Sequence, residues 1–390
     1  MPLSLVRCLA VLALLWTAAC SGQPSPEKDA PEQGAGETPT VVLHTETMVQ
    51  GLQHPWSLAE LPNGDLLITE RPGRLRVVRN GALVEAPVAG VPEVFARNQG
   101  GLFDVRLHPD FAQNRWVYLS YAEACKAGAT TAVVRGRLTD DDSGGYRLDA
   151  VAPIIRANAC RDGGRHFGGR MAFDREGLLY LSVGDRGHRD EVQDPNNHLG
   201  SVLRLTDDGQ PAPGNPFAGS DAGDAAVFTY GHRNPQGMAR HPDSGRIWTH
   251  EHGPRGGDEV NRLASADNYG WPEVTHGKEY SGGRIGPASA AGFVAPLTVW
   301  VPSIAPSGLH FVDSEQFPEW EGDLLVGALA GQHVARLRWH PREQKLEPVE
   351  RLLEGALGRI RDVGGLSDGS LYVLTDAGTG QLIRIQRDGD

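Results

Sequence analysis

The sequence predicts an all-β fold: a six-bladed β-propeller of four-stranded antiparallel blades. Two observations carry the prediction. First, one theme recurs, a turn with Asp, Asn or Gly followed by a short apolar strand. It reads PNGDLLITE (62–70), QNRWVYLSY (113–121), REGLLYLSV (175–183), DSGRIWTHE (243–251), EGDLLVGAL (321–329) and SDGSLYVLT (367–375). The spacing between copies is uneven, from under 50 to nearly 80 residues, which is room for one blade and a variable loop. Second, glycine is abundant, with 50 residues, and turn residues punctuate the chain too often for long helices. A sandwich or two barrels are the structural rivals. Radial repetition leaves few exposed strand edges and gathers loops around a central channel. Function is therefore expected in the polar, Gly-rich loops at one end of that channel.

Taken in order, residues 1–20 are expected to be a lipoprotein-type export signal. They hold one positive charge, Arg7, then the apolar run CLAVLALLW, then TAAC. The run has the length of a signal's apolar region rather than of a membrane span. Ala18 and Ala19 before Cys20 match a bacterial lipoprotein cleavage site, with Thr17 where such sites usually carry Leu. Cys20 is then a lipidated N-terminus, and the expected location is periplasmic and membrane-anchored, with plain secretion as the alternative. Residues 21–40 hold almost nothing apolar and read as a disordered polar tether. That leaves 41–390 as a single propeller domain. Cys125 and Cys160 fall inside it, and in an oxidising compartment a disulfide is the simple expectation, two buried thiols the alternative. The net charge of −12 argues against nucleic acid as a partner, because phosphates demand a basic face. If the chain binds an anion, the positive charge must be local.

Five loop stretches stand out. NQGGLFDVRLHPDF (98–111) places Gln99 before two glycines, and RHFGG (165–169) places His166 ahead of two more. YGHRNPQGMARHP (230–242) carries Arg233, Asn234 and Pro235 in succession. HEHGPRGGDEVNRL (250–263) is followed by NYGWP (268–272). In GRIRDV (358–363), Arg359 and Arg361 alternate on an extended segment, which puts both guanidinium groups on one side. Each has a plain structural alternative: a satisfied histidine, a turn arginine, a flexible loop, surface ion pairs. Their joint occurrence at blade junctions favours function.

The combination resembles the soluble quinoprotein glucose/sorbosone dehydrogenases, and especially the bacterial aldose sugar dehydrogenases. HFGGRMAFD, YGHRNPQGMA, EHGPRGGDEVN with NYGWP, and RIRDV with DGSLYVLTD carry the resemblance, which spans roughly residues 42–386. It implies a six-bladed propeller, pyrroloquinoline quinone (PQQ) as cofactor, calcium, and oxidation of aldose sugars to lactones. His166 is implied as the general base. Arg233 and Asn234 are implied beside the quinone oxygens, where a cation stabilises the charge that develops as hydride arrives. Arg359 and Arg361 are implied as holders of the cofactor carboxylates, a task suited to arginine forks. Gln99 and Tyr280 are expected to add polar contacts, and Ala328, Leu329 and Ala330 to line the cofactor. The carbonyls of Gly253 and Pro254 are implied as ligands of a bridging calcium; Glu259 and the Tyr269 carbonyl, of a structural one. There is one departure: the family commonly has a lysine in the segment matching ALAGQH (328–333), and Ala330 stands there. Three consequences stay open: weaker PQQ binding, a shifted redox potential, or substitution by Arg336 or another group. The rival classes are a calcium-dependent lactonase-type propeller, which needs a metal held by several carboxylates and Asn side chains at the axis, and a non-catalytic binding propeller. The preferred sugar and the electron acceptor are left open.

Overall fold

The computed structural model describes residues 41–141 and 144–388, so the expected signal, tether and Cys20 lie outside the described residues. Six four-stranded antiparallel sheets form the six-bladed propeller. The innermost strands are Pro55–Glu60, Leu102–Leu107, Gly168–Phe173, Pro235–Arg240, Pro306–Phe311 and Ile360–Gly365. Each packs beside the next, and the last against the first. The ring is latched by Leu43–Leu52, which pairs antiparallel with Gly380–Arg387 and becomes the outermost strand of the blade built from the C-terminal end.

Every copy of the repeated theme is the second strand of a blade with the turn before it. Leu66–Glu70, Leu179–Val183, Ile247–Glu251, Leu324–Ala328 and Leu371–Thr375 are buried at every position. A strand covered on both faces by neighbouring blades reads as a continuous apolar run. The preceding turns use Gly64, Gly177, Gly245, Gly322 and Gly369 at φ between +68 and +84°, a region that glycine enters without steric cost. The second blade differs. Its turn is the short helix Phe111–Asn114, closed by Arg115 at φ 57°. Between blades the filling is apolar: Trp248, for example, meets Phe311 and Trp339 edge-on at 5.4 and 4.9 Å.

Cys125 and Cys160 form a disulfide. It joins the hairpin end of the second blade to the loop that leads into Gly168–Phe173. His166 stands in that loop, two residues before the strand.

Candidate active site

His166 is held in the left-handed region, at φ 52°. The loop around Gln99 fixes it there. Gln99 N donates to the Gly164 carbonyl at 2.8 Å, and Gln99 Oε1 accepts from His166 N at 2.7 Å. The imidazole Nδ1 lies 2.6 Å from Asp185 Oδ1. Asp185 also accepts from Gly187 N at 2.6 Å and from Trp271 Nε1 at 2.8 Å. Burial pushes the Asp185 carboxyl up, but His166, Arg233 and the Gly187 N–H outweigh it and hold it below the usual range. An ionised Asp185 accepts the Nδ1 proton, which makes Nε2 the basic nitrogen of the ring. Burial pulls the His166 pKa down, helped by Arg233 and Arg165, and this exceeds the upward pull of Asp185. The result is a neutral, oriented imidazole on the wall of a cavity of about 790 Å³.

The other histidines nearby differ. His250 and His252 are pushed down to about 3 by burial. Each sets Nε2 against a carbonyl, Gly308 O at 3.1 Å and Pro306 O at 2.7 Å, so both are structural donors. The paired glycines after His166 also divide. Gly168 lines a cleft. The space beside Gly169 is taken by Phe103, whose ring would lie 2.6 Å from an added Cβ; this glycine serves packing within the protein.

Arg233 lines the same cavity from the fourth blade. Its Nη1 donates to Gly253 O at 2.8 Å and His252 O at 3.1 Å, and its Nη2 lies 3.5 Å from Tyr280 Oη. Glu251 anchors it from behind, accepting from Arg233 N and from His232 Nδ1. His232 stacks on Tyr269 at 4.5 Å. Asn234 Oδ1 accepts from Gly168 N at 3.3 Å and Gln236 Nε2 at 3.2 Å. Tyr280 is 71% exposed at the cavity rim. The Gly253 carbonyl thus already accepts from a guanidinium, which fills one of its two lone pairs. Pro254 lines the cavity with Arg233. Glu259 and Tyr269 border a separate void of about 20 Å³. Burial, with Glu251 close by, holds the Glu259 carboxyl above the usual range.

A second cleft, of about 380 Å³, opens at the propeller axis, with Gln99 in the wall of both. Arg359 and Arg361 line it. Arg361 Nη2 lies 2.8 Å from Asp376 Oδ2, Arg359 Nε 3.7 Å from the same oxygen, and His54 Nδ1 2.9 Å from Oδ1. Burial pushes Asp376 up, but Arg361, His54 and Arg359 outweigh it and hold the carboxyl well below its usual range. Leu329 lines this cleft and its carbonyl accepts from Arg359 at 3.4 Å. Ala328 is buried within its strand and Ala330 is exposed; neither lines either cleft. Arg336 does not substitute for the missing lysine. It is buried in the fifth blade, paired with Asp323 and Glu350 and set over Trp320. Beneath the cleft, Arg170 sits between Asp104 at 3.5 Å and Asp362 at 3.2 Å. The axial carboxylates are therefore spent on an arginine, contrary to what a lactonase-type site requires.

Sequence reasoning missed Asp185, Asp376 and Glu251 as partners of the site arginines and histidine. The signal was present: an acid closes four copies of the repeat, at Glu70, Asp185, Glu251 and Asp376. Those strand ends bring the acids to the face that carries the loops.

The propeller thus sets a guanidinium-lined axial cleft beside an oriented His–Asp pair. The Glucose / Sorbosone dehydrogenase family model matches residues 52–384, and the chain belongs to that family. The aldose sugar dehydrogenase of Escherichia coli is 42% identical over 348 residues, covering 88% of this chain and 92% of the relative. Its soluble apo-form crystal structure superposes with a TM-score of 0.85, over 89% of this chain and all of that one. The PQQ-bound aldose sugar dehydrogenase of Streptomyces coelicolor, 30% identical, gives a TM-score of 0.73 over 90% of this chain and 100% of that one.

Proposed function

We propose that this chain oxidises aldose sugars at the anomeric carbon to lactones, with PQQ bound in the axial cleft. The observation that carries this is the neutral, Asp185-oriented His166 on one side of Gln99 and the paired Arg359 and Arg361 on the other. PQQ is a planar tricarboxylate, and arginine forks match carboxylates through paired donors. When bound, it supplies an electrophilic quinone carbonyl that takes up hydride.

The chain's own residues do the rest. His166 Nε2 removes the proton of the anomeric hydroxyl, and Asp185 holds the tautomer and stabilises the imidazolium that forms. Arg233 and Asn234 set donors between the two clefts, where negative charge develops. The rim, with Tyr280, encloses the sugar.

Calcium belongs to the same proposal. The donor chemistry fits a hard cation at two places: the carbonyls of Gly253 and Pro254, and Glu259 with the Tyr269 carbonyl. At the second, a cation relieves the like-charge pressure of Glu251 on Glu259. We also propose export with lipidation at Cys20; the Cys125–Cys160 disulfide supports an oxidising compartment.

The test is reconstitution of the purified protein with PQQ and calcium, with and without chelator, followed by dye reduction across a sugar panel. Sugar-dependent reduction that requires PQQ is expected. Absence of any PQQ-dependent turnover on every aldose overturns the proposal.

A further inference from the structure

Arg71 carries a charge that no carboxylate in the described residues neutralises. It directly follows Leu66–Glu70 and lines the axial cleft with Gln99, Arg359 and Arg361. Its neighbour Glu70 is committed elsewhere, to Arg74 Nε at 2.6 Å, Arg76 at 3.6 Å and Gln53 N at 2.7 Å. The cleft's own carboxylate, Asp376, is taken by Arg361, Arg359 and His54. Among the described residues, the Arg71 guanidinium makes one hydrogen bond, from Nη1 to the Asn98 carbonyl.

Its placement is built. Arg71 N donates to His54 O at 3.1 Å and Arg71 O accepts from Leu102 N at 3.0 Å, which pins the backbone between the first two blades. Gly101, at φ +146°, leaves room for it; a Cβ there would lie 2.0 Å from Arg71 O and 2.6 Å from its Cγ. Of the two glycines after Gln99, Gly101 thus serves a third arginine, while Gly100 packs against Phe95 and Arg97. Cleft charge follows directly: Arg71, Arg359 and Arg361 against Asp376 leave two positive charges for an anion.

We propose that Arg71 binds a carboxylate of the cofactor, supplying the cation that Ala330 does not. The proposal rests on the PQQ reading of the axial cleft. A guanidinium fork facing a carboxylate is a charge-assisted contact, stronger than a neutral hydrogen bond.

The experiment measures PQQ binding to cofactor-free protein by equilibrium dialysis, with calcium present, for wild type, Arg71→Gln and Arg71→Lys. Melting temperatures are taken without and with PQQ. Arg71→Gln should weaken binding about tenfold or more, and Arg71→Lys should fall between it and wild type. Added salt should weaken wild-type binding more than that of Arg71→Gln, since one charge contact is gone. The cofactor-free melting temperature should stay near that of wild type, because the side chain has one hydrogen bond to lose. Wild-type affinity in Arg71→Gln overturns the assignment and leaves the site reading intact. A wild type that does not bind PQQ overturns the site reading and the assignment together. Weaker binding that tracks an equal drop in cofactor-free melting temperature, with Arg71→Lys no better, makes Arg71 structural and also overturns it.

Discussion

The two clefts that share Gln99 are built on opposite plans. On the His166 side, the groups around the imidazole already have their partners: Asp185 gathers His166, Gly187 N–H and Trp271, and Arg233 rests on two carbonyls. On the axial side the charges are left over. Three arginines face one aspartate, and Arg359 is 48% exposed. On the proposed function, the difference separates two tasks. Groups that move a proton must be oriented before the substrate arrives, so their hydrogen bonds are internal. Groups that bind an anion keep free donors, and the ligand completes them.

That contrast can be broken by variants on each side. The largest effect is expected for His166→Gln, which keeps a polar group of similar reach but loses the basic nitrogen. Turnover should fall about 10²–10⁴-fold, while PQQ affinity by dialysis stays near wild type. A parallel loss of PQQ would merge the two clefts into one functional unit. Asp185→Asn should lower turnover about 10–100-fold by loosening the imidazole tautomer, again with PQQ binding kept. On the axial side the ordering should invert. Arg361→Gln, at a buried site, should raise the PQQ dissociation constant about tenfold, and Arg359→Gln, half exposed, only about threefold. Both should turn over near the wild-type rate once saturated with PQQ.

The smallest and sharpest expectation is in pH. Only the neutral ring accepts a proton, and burial moves His166 below the ordinary histidine value of about 6.5. The acid limb of kcat/KM should therefore rise with pH through a midpoint under that value and be flat at neutral pH. Asp185 pulls the His166 pKa up, so in Asp185→Asn the midpoint should move further down. A midpoint above 6.5 in wild type would show that the environment of His166 favours the charged ring.

Much of this was legible in the sequence, for a physical reason. The second strand of each blade is covered on both faces, so its apolar run and glycine turn stand out. The innermost strands are harder to read, since one end meets a polar channel; GGRMAF and PQGMAR carry no clear alternation. Outer strands such as Lys345–Leu352 are mostly exposed. His166, Gln99, Arg233, Arg359 and Arg361 were nameable because each sits in a Gly-rich or alternating stretch, and Cys125 with Cys160 because they stand alone in the domain. Their partners were not. His54 and Asp376 lie 322 positions apart, and His166 and Asp185 lie 19 apart with two paired strands between them. The acid at the end of a repeat is visible, but the group it meets is not: ring closure brings His54 to Asp376, and the hairpin of Gly168–Phe173 with Leu179–Val183 brings His166 to Asp185.

That closure has a kinetic side. Leu43 is paired with Arg387 in the latch, so the last blade stays one strand short until both ends of the domain are present. A chain emerging from its N-terminus cannot finish the ring early, and the long loop to be closed makes this a slow, late event. Circular permutation that cuts a blade-connecting loop and links residues 43 and 387 directly would make the latch local, and refolding should then be faster with the same final propeller.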